Sequence, residues 1–277
     1  MAFARDDNKV LVRTRRCRSA LNRTGIPGGD YCVNPYLGCT HNCLYCYASF
    51  MLKYSGINEP WGSFVEAKIN LPDVLKRQAR KPGTVLLGTV CDPYQPAERE
   101  FQLSRQVLSI LGERGYNVEV MTKSDLVLRD IDLLSRFPGF SVELTITTLD
   151  AKISRAFEPG APLPERRLIA LKELNRAGVE TTVFIGPLLP GISDSCRQIE
   201  ELLLAVKAAG GQRVLFDRLN YLKQKFIRLK PVIEKEFPAT IPAWNQALTA
   251  PDQYSAALRS RIQEALADSG LKGRIIF

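Results

Sequence analysis

Asn34-Pro-Tyr-Leu-Gly-Cys39-Thr-His-Asn-Cys43-Leu-Tyr-Cys46-Tyr-Ala48 sets three thiols within eight residues. The run Tyr31 to Asn34 just before it reads as a strand, so the thiols fall on the loop leaving that strand. Such a loop can wrap a small inorganic centre. Three cysteines without a nearby fourth are an incomplete set for an iron-sulfur cube, which usually takes four, and would leave one iron open to a non-protein ligand. A Cys3His zinc centre is a competing reading through the single histidine, His41. One residue between Cys39 and His41 is tighter than the usual two to four between zinc ligands. Chance, inert cysteines are the third reading.

Outward from this loop, short β-rich runs alternate with helical patterns, as in βαβ units with a mainly parallel sheet. Strands are expected at Tyr31 to Asn34, Thr84 to Val90, Asn117 to Thr122, Val142 to Thr147, Glu180 to Ile185 and Arg213 to Asp217. Helices are expected at Leu103 to Arg114, Arg166 to Ala177 and Ser195 to Ala209, the last capped by Asp194. Gly115, Gly178 and Gly210 stand where these helices stop. Six such units suggest an α/β fold, a partial parallel (β/α)6 TIM-like barrel, although an open doubly wound sheet has the same local pattern. Phe237 to Pro251, with three prolines, reads as a connection to a final helix, Gln253 to Ala267, and Arg274 to Phe277 could add an edge strand. The expected division is a basic extension at 1–29, a core at 30–235 and a C-terminal extension at 236–277.

The 277 residues suit one main domain, and 45% apolar with 24% charged residues excludes a disordered, collagen-like or coiled-coil chain. Charges in Met1 to Lys9 stand where a secretory peptide needs an apolar stretch. No apolar run approaches the ~18 residues of a membrane helix. A cytoplasmic location is therefore expected, where the seven cysteines would be ligands or catalysts rather than disulfide partners. Lysine and arginine number 38 against 29 acidic residues, and the +9 excess lies in two stretches, 1–23 and 213–235, with seven basic and two acidic side chains each. Both stretches could meet a polyanion such as DNA or another nucleic acid, or could simply be solvated surface. Tyr221 and Phe226 interleave with Lys223, Lys225 and Arg228, yet Leu222, Phe226 and Leu229 also form a helical stripe.

The spacing Cys39-x3-Cys43-x2-Cys46, with an aromatic residue before the last cysteine, resembles the signature of radical S-adenosylmethionine (radical SAM) enzymes. That resemblance implies one 4Fe-4S cluster on Cys39, Cys43 and Cys46, S-adenosylmethionine on its fourth iron, and a one-electron reductant such as flavodoxin or ferredoxin. It also implies a partial (β/α)6 barrel. Tyr45 and Tyr47, Val120 to Lys123, Leu144 to Thr147, Phe157 to Gly160 and Arg167 are similar to the spore photoproduct lyase family, over about Tyr36 to Pro190. By that likeness Cys91 would donate a hydrogen atom to a product radical, and Tyr45 or Tyr47 would relay the radical. Lys123 and Thr145 would contact S-adenosylmethionine, with Glu158 and Arg167 as further cofactor-site residues or a structural ion pair.

The chain departs from that family at Asp92-Pro93-Tyr94, where the lyase has small hydroxyl residues. It also lacks a Trp-Gly-Arg-Tyr-Gly lesion-binding segment around Trp244 to Ala250. Thymine-dimer lesions in DNA are the first expected substrate, with another nucleic acid, a peptide or a small molecule as alternatives. The rival of another class is a non-catalytic iron-sulfur or zinc protein that binds nucleic acid.

Overall fold

A computed structural model describes residues 10–78 and 81–277; the N-terminal stretch Met1 to Lys9 lies outside the described residues. The strands in chain order are β1 (Leu11–Arg15), β2 (Asn22–Arg23), β3 (Tyr31–Val33), β4 (Tyr36–Leu37), β5 (Phe64–Lys68) and β6 (Thr84–Leu87). They continue with β7 (Asn117–Thr122), β8 (Phe140–Thr145), β9 (Glu180–Leu188), β10 (Arg213–Arg218) and β11 (Lys272–Ile275). The larger sheet runs β11-β10-β9-β8-β7-β6-β3-β2. Its neighbours from β3 to β11 are all parallel, and β2 alone is antiparallel, at one edge. Among the described residues β2 and β11 end the order without pairing to each other, as in a partial α/β barrel. The six expected strands appear as β3 and β6 to β10, and β11 is the expected C-terminal addition.

Alternation along the strands sorts side chains between two environments. Val118 and Val120 on β7, Val142 and Leu144 on β8, and Val183 and Ile185 on β9 are buried in the main apolar core. Leu108 and Leu111, Leu171 and Leu174, and Leu202 and Leu203, each pair from a helix that follows a strand, share that core. The opposite parity turns Met121, Glu143, Thr145 and Phe184 to one shared cavity. Polar residues on otherwise apolar strands are thus explained by the side they face.

The three expected glycine stops hold positive φ, at 71° for Gly115, 75° for Gly178 and 85° for Gly210. Two expectations need correction. Ser195, not Asp194, caps the helix Cys196–Ala208, because its hydroxyl reaches the Gln198 amide in a capping box. Asp194 instead accepts hydrogen bonds from Tyr254 Oη (2.8 Å), Arg261 Nη2 (2.9 Å) and the Gly191 amide (2.8 Å). The second is the connection at Phe237 to Pro251, which folds as a 3-10 turn and the helix Ile241–Thr249. Its prolines occupy first turns, where a missing N–H costs nothing. The sequence reading also missed a second, three-stranded sheet, β1-β5-β4, beside the cysteine loop. Its strands are short or follow no clear turn signal, and two of its three members precede the first full βα unit.

Candidate active site

The cysteine loop leaves β4 through Gly38, whose φ of +84° suits glycine, and a Cβ there would meet the Phe64 carbonyl oxygen at 2.5 Å. The loop then braces itself: the Asn42 amide donates to the Cys39 carbonyl (3.3 Å) and the Cys46 amide to the Cys43 carbonyl (3.1 Å). From outside, the Leu44 amide donates to the Phe157 carbonyl (2.9 Å) and the Gly160 amide to the His41 carbonyl (3.0 Å). The Phe157 to Gly160 segment singled out in the sequence is therefore a wall of the loop. Gln95 closes another side, accepting from the Thr40 amide at 3.0 Å and donating to the Gly38 carbonyl at 3.2 Å.

Cys39, Cys43 and Cys46 line one cavity together with Tyr47, Cys91, Lys123 and Thr145. Burial pushes the Cys43 thiol up to about 12 and Cys39 well above its ordinary value. A metal's charge is what would strip such protons, since coordinated thiols are held as thiolates. Among the described residues no group of three His, Cys, Asp or Glu side chains is already gathered to hold a single metal ion. The three thiols line one cavity, and thiolates are the donors that an iron-sulfur cluster takes. The cluster residues therefore fit the group the sequence resemblance implies.

Cys91 is 6% exposed, and its Sγ lies 3.7 Å from Asn34 Oδ1. Burial raises its thiol to about 12, so it keeps its hydrogen at neutral pH. Asn34 ties this corner together by accepting from the Val90 amide (2.9 Å) and donating to the Thr89 hydroxyl (2.9 Å). The Tyr47 hydroxyl donates to the Thr89 carbonyl, two residues before Cys91.

Tyr45, Glu158 and Arg167 do not line the cavity. Tyr45 is buried in a second apolar cluster with Cys43, Phe157 and Trp244. Its hydroxyl donates to Glu158, which also pairs with Arg167. Arg167 is fully buried and donates further to the Thr145 carbonyl (3.1 Å) and the Pro162 carbonyl (2.8 Å). Burial alone would raise Glu158, but the Arg167 and Lys123 charges override it and lower its pKa. Lys123 stands between this group and the cavity, with Nζ 5.8 Å from the Tyr45 ring centroid. Burial opposes its charge, while Cys43 and Glu158 more than restore it.

Several site residues escaped the sequence reading. Asp92, noted only as a departure, accepts from the Thr122 hydroxyl (2.7 Å), the Lys123 amide (2.8 Å) and the Tyr94 amide (2.9 Å). Burial pushes it up, yet His41 and these donors hold its carboxyl down at about 2. Glu143 faces the cavity and is raised to about 8, first by burial and then by the Glu119 charge. Its parity with Thr145 was the available signal. Lys225 donates to the Cys46 carbonyl (2.6 Å) and Ser49 Oγ (2.9 Å), and Arg228 to Asn42 Oδ1 (2.5 Å). Other cations of the 213–235 stretch pair within the chain: Arg213 with Glu180, Lys230 with Glu234 and Lys235 with Glu236.

Residues 33–203 match the family model of the Radical SAM superfamily. An uncharacterized protein of Methanocaldococcus jannaschii is 38% identical over 188 residues, covering 68% of this chain and 71% of that protein. An uncharacterized protein of Mycobacterium tuberculosis is 30% identical over 276 residues, covering 93% of this chain and 80% of that one. Among solved structures, spore photoproduct lyase complexed with dinucleoside spore photoproduct superposes with a TM-score of 0.71 at 15% identity. That superposition covers 96% of this chain and 82% of the lyase, a likeness of fold. Among the described residues no helix is long and apolar enough to cross a membrane.

Proposed function

This chain belongs to the radical SAM superfamily, and on that footing we propose that it removes hydrogen from a substrate held against Cys91 and returns hydrogen from the Cys91 thiol. When bound, the 4Fe-4S cluster and S-adenosylmethionine of this superfamily supply a 5'-deoxyadenosyl radical after one-electron reduction. Cys39, Cys43 and Cys46 are the residues that hold the cluster in this reading, while Lys123 and Thr145 face S-adenosylmethionine. An ammonium suits the methionine carboxylate, and a threonine hydroxyl can accept or donate to polar groups of the nucleoside.

The observation that carries the proposal is the position of Cys91 on the same cavity as the three cluster cysteines. A thiol kept protonated by burial has a hydrogen atom to give. Transfer to a carbon-centred product radical breaks the S–H bond, forms a C–H bond and leaves a thiyl radical on Cys91. Tyr47 is assigned the relay in this reading, because its hydroxyl donates to the Thr89 carbonyl two residues before Cys91; passing its phenolic hydrogen to the thiyl sulfur would re-form the S–H bond and leave the radical on the tyrosine. Tyr45 is assigned a supporting part, since it is packed away from the cavity and bonded to Glu158. Phe184 and Met121 give the chamber an apolar side, and Glu143 gives it a hydrogen-bonding carboxyl.

The first substrate for this site is a thymine-dimer lesion in DNA. The fold shared with a lyase complexed with dinucleoside spore photoproduct motivates that choice. Incubation of the anaerobically reconstituted protein with a dinucleoside spore photoproduct, reductant and S-adenosylmethionine tests it. Thymidine products from the wild type but not from Cys91→Ala support lesion repair. No product from either the dinucleoside or a lesion-bearing duplex moves the activity to another nucleic-acid, peptide or small-molecule substrate.

A further inference from the structure

The second basic stretch does something its composition does not show. The helix Leu222–Glu236 buries Leu229 and Ile233 in the apolar cluster that contains Cys43 and Tyr45, and Phe226 lies against Trp244 with ring centroids 5.7 Å apart. Packed in this way, the helix turns Lys225 and Arg228, three residues apart and so on one face, onto the cysteine loop. Lys225 Nζ is 2.6 Å from the Cys46 carbonyl oxygen and 2.9 Å from Ser49 Oγ. Arg228 Nη2 is 2.5 Å from Asn42 Oδ1 and 3.5 Å from the Trp61 carbonyl oxygen. Asn42 holds a positive φ of 50° between Cys39 and Cys43, a conformation that benefits from an outside partner.

Neutral side chains could satisfy those oxygen atoms equally well. Two partly buried cations are a costlier choice, because burial disfavours their charged forms. Among the described residues neither forms an ion pair with Asp or Glu. What they do meet is the cysteine loop itself, through the Cys46 carbonyl, Ser49 Oγ and Asn42 Oδ1. A pair of cations with hydrogen bonds to the cysteine loop is matched to the negative charge that thiolate ligands would bring once a cluster is bound.

We propose that Lys225 and Arg228 are positioning residues that clamp the cysteine loop and raise the reduction potential of the cluster it holds. Reduction adds one electron, donated by a one-electron carrier, to an already anionic assembly. Nearby positive charge stabilises the reduced form more than the oxidised one, by Coulomb attraction in a partly dry setting. The inference rests on the reading that Cys39, Cys43 and Cys46 hold a 4Fe-4S cluster.

The test uses the full-length reconstituted protein and its variants Lys225→Met, Arg228→Met and the double variant, with Lys225→Arg as the charge-keeping control. Iron and sulfide per chain are measured first, then the midpoint potential by EPR-monitored redox titration. The double variant is expected to shift the reduction equilibrium at least about tenfold against the reduced cluster, equivalent to ~59 mV for one electron. Lys225→Arg should stay near the wild type. Unchanged potentials in fully loaded methionine variants would overturn the electrostatic claim. Hydrogen exchange of the apoprotein reads the clamp without any cluster: amides from Cys43 to Ser49 should exchange faster in the double variant, and unchanged exchange would overturn it. A wild type that binds no iron would instead refute the cluster reading itself.

Discussion

His41 Nδ1 lies 3.2 Å from Asp92 Oδ2, joining the middle of the cysteine loop to the residue that follows Cys91. Both side chains are buried, and Asp92 also holds the start of the turn after β7 through Thr122 and the Lys123 amide. One carboxylate thus fixes three separate pieces of the cavity wall relative to one another. Asp92→Asn should destabilise the protein by about 1–3 kcal/mol, the range for leaving buried hydrogen-bond donors without their acceptor. Because the folded carboxyl titrates at about 2, below its unfolded value, its stabilisation is full above pH ~4 and disappears as pH falls through ~2. Denaturant melts of wild type and variant across that range should converge at the acid end.

Glu143 carries the opposite sign. Its carboxyl is raised to about 8 in the folded chain, so the folded state holds a proton that the unfolded state releases near pH ~4.3. Stability contributed by this residue is present below that unfolded value and is lost as pH rises towards 8, by up to about 1.4 kcal/mol per pH unit. Glu143→Gln should remove that decline. Paired urea titrations between pH 5 and pH 8 measure it, and parallel pH dependences in the two proteins would count against the assignment.

Arg167 is fully buried against Glu158, with its remaining donors on the Thr145 and Pro162 carbonyls. Arg167→Met should cost about 3–5 kcal/mol, since it leaves a buried carboxylate with fewer partners. The double variant Arg167→Met, Glu158→Gln should recover part of that loss. A thermal-melt cycle of wild type, both single variants and the double variant gives the coupling.

Cys91→Ala should separate the two halves of the proposed reaction. Removal of the thiol leaves the three cluster cysteines and Lys123 in place, so 5'-deoxyadenosine release should stay within about twofold while product formation falls about tenfold or more. Product assays run alongside nucleoside chromatography check both quantities. Equal loss of both would make Cys91 a residue of cavity structure rather than a hydrogen donor.

Much of this was legible along the chain. Strands β6 to β10 stand out because apolar runs such as Val118 and Val120 recur between glycine-stopped helices, and the cysteine loop because its spacing is local. Partners far apart in sequence were harder to see. Asp92 and His41 meet across 51 positions, and Lys225 reaches Cys46 across 179. Neither pairing has a periodic or local signature. The prolines near Trp244 read as breaks, yet at first-turn positions they start helices, and charge counting could not show that Lys225 and Arg228 face inward. Parity along β8 could have exposed Glu143, since it shares the inward side with Thr145.

The most direct test of the account is anaerobic reconstitution of the full-length protein with iron and sulfide, followed by reduction in the presence of S-adenosylmethionine. The wild type should bind a 4Fe-4S cluster and release 5'-deoxyadenosine, and alanine at Cys39, Cys43 or Cys46 should abolish both. A wild type carrying a full, reducible cluster that releases no 5'-deoxyadenosine would contradict it.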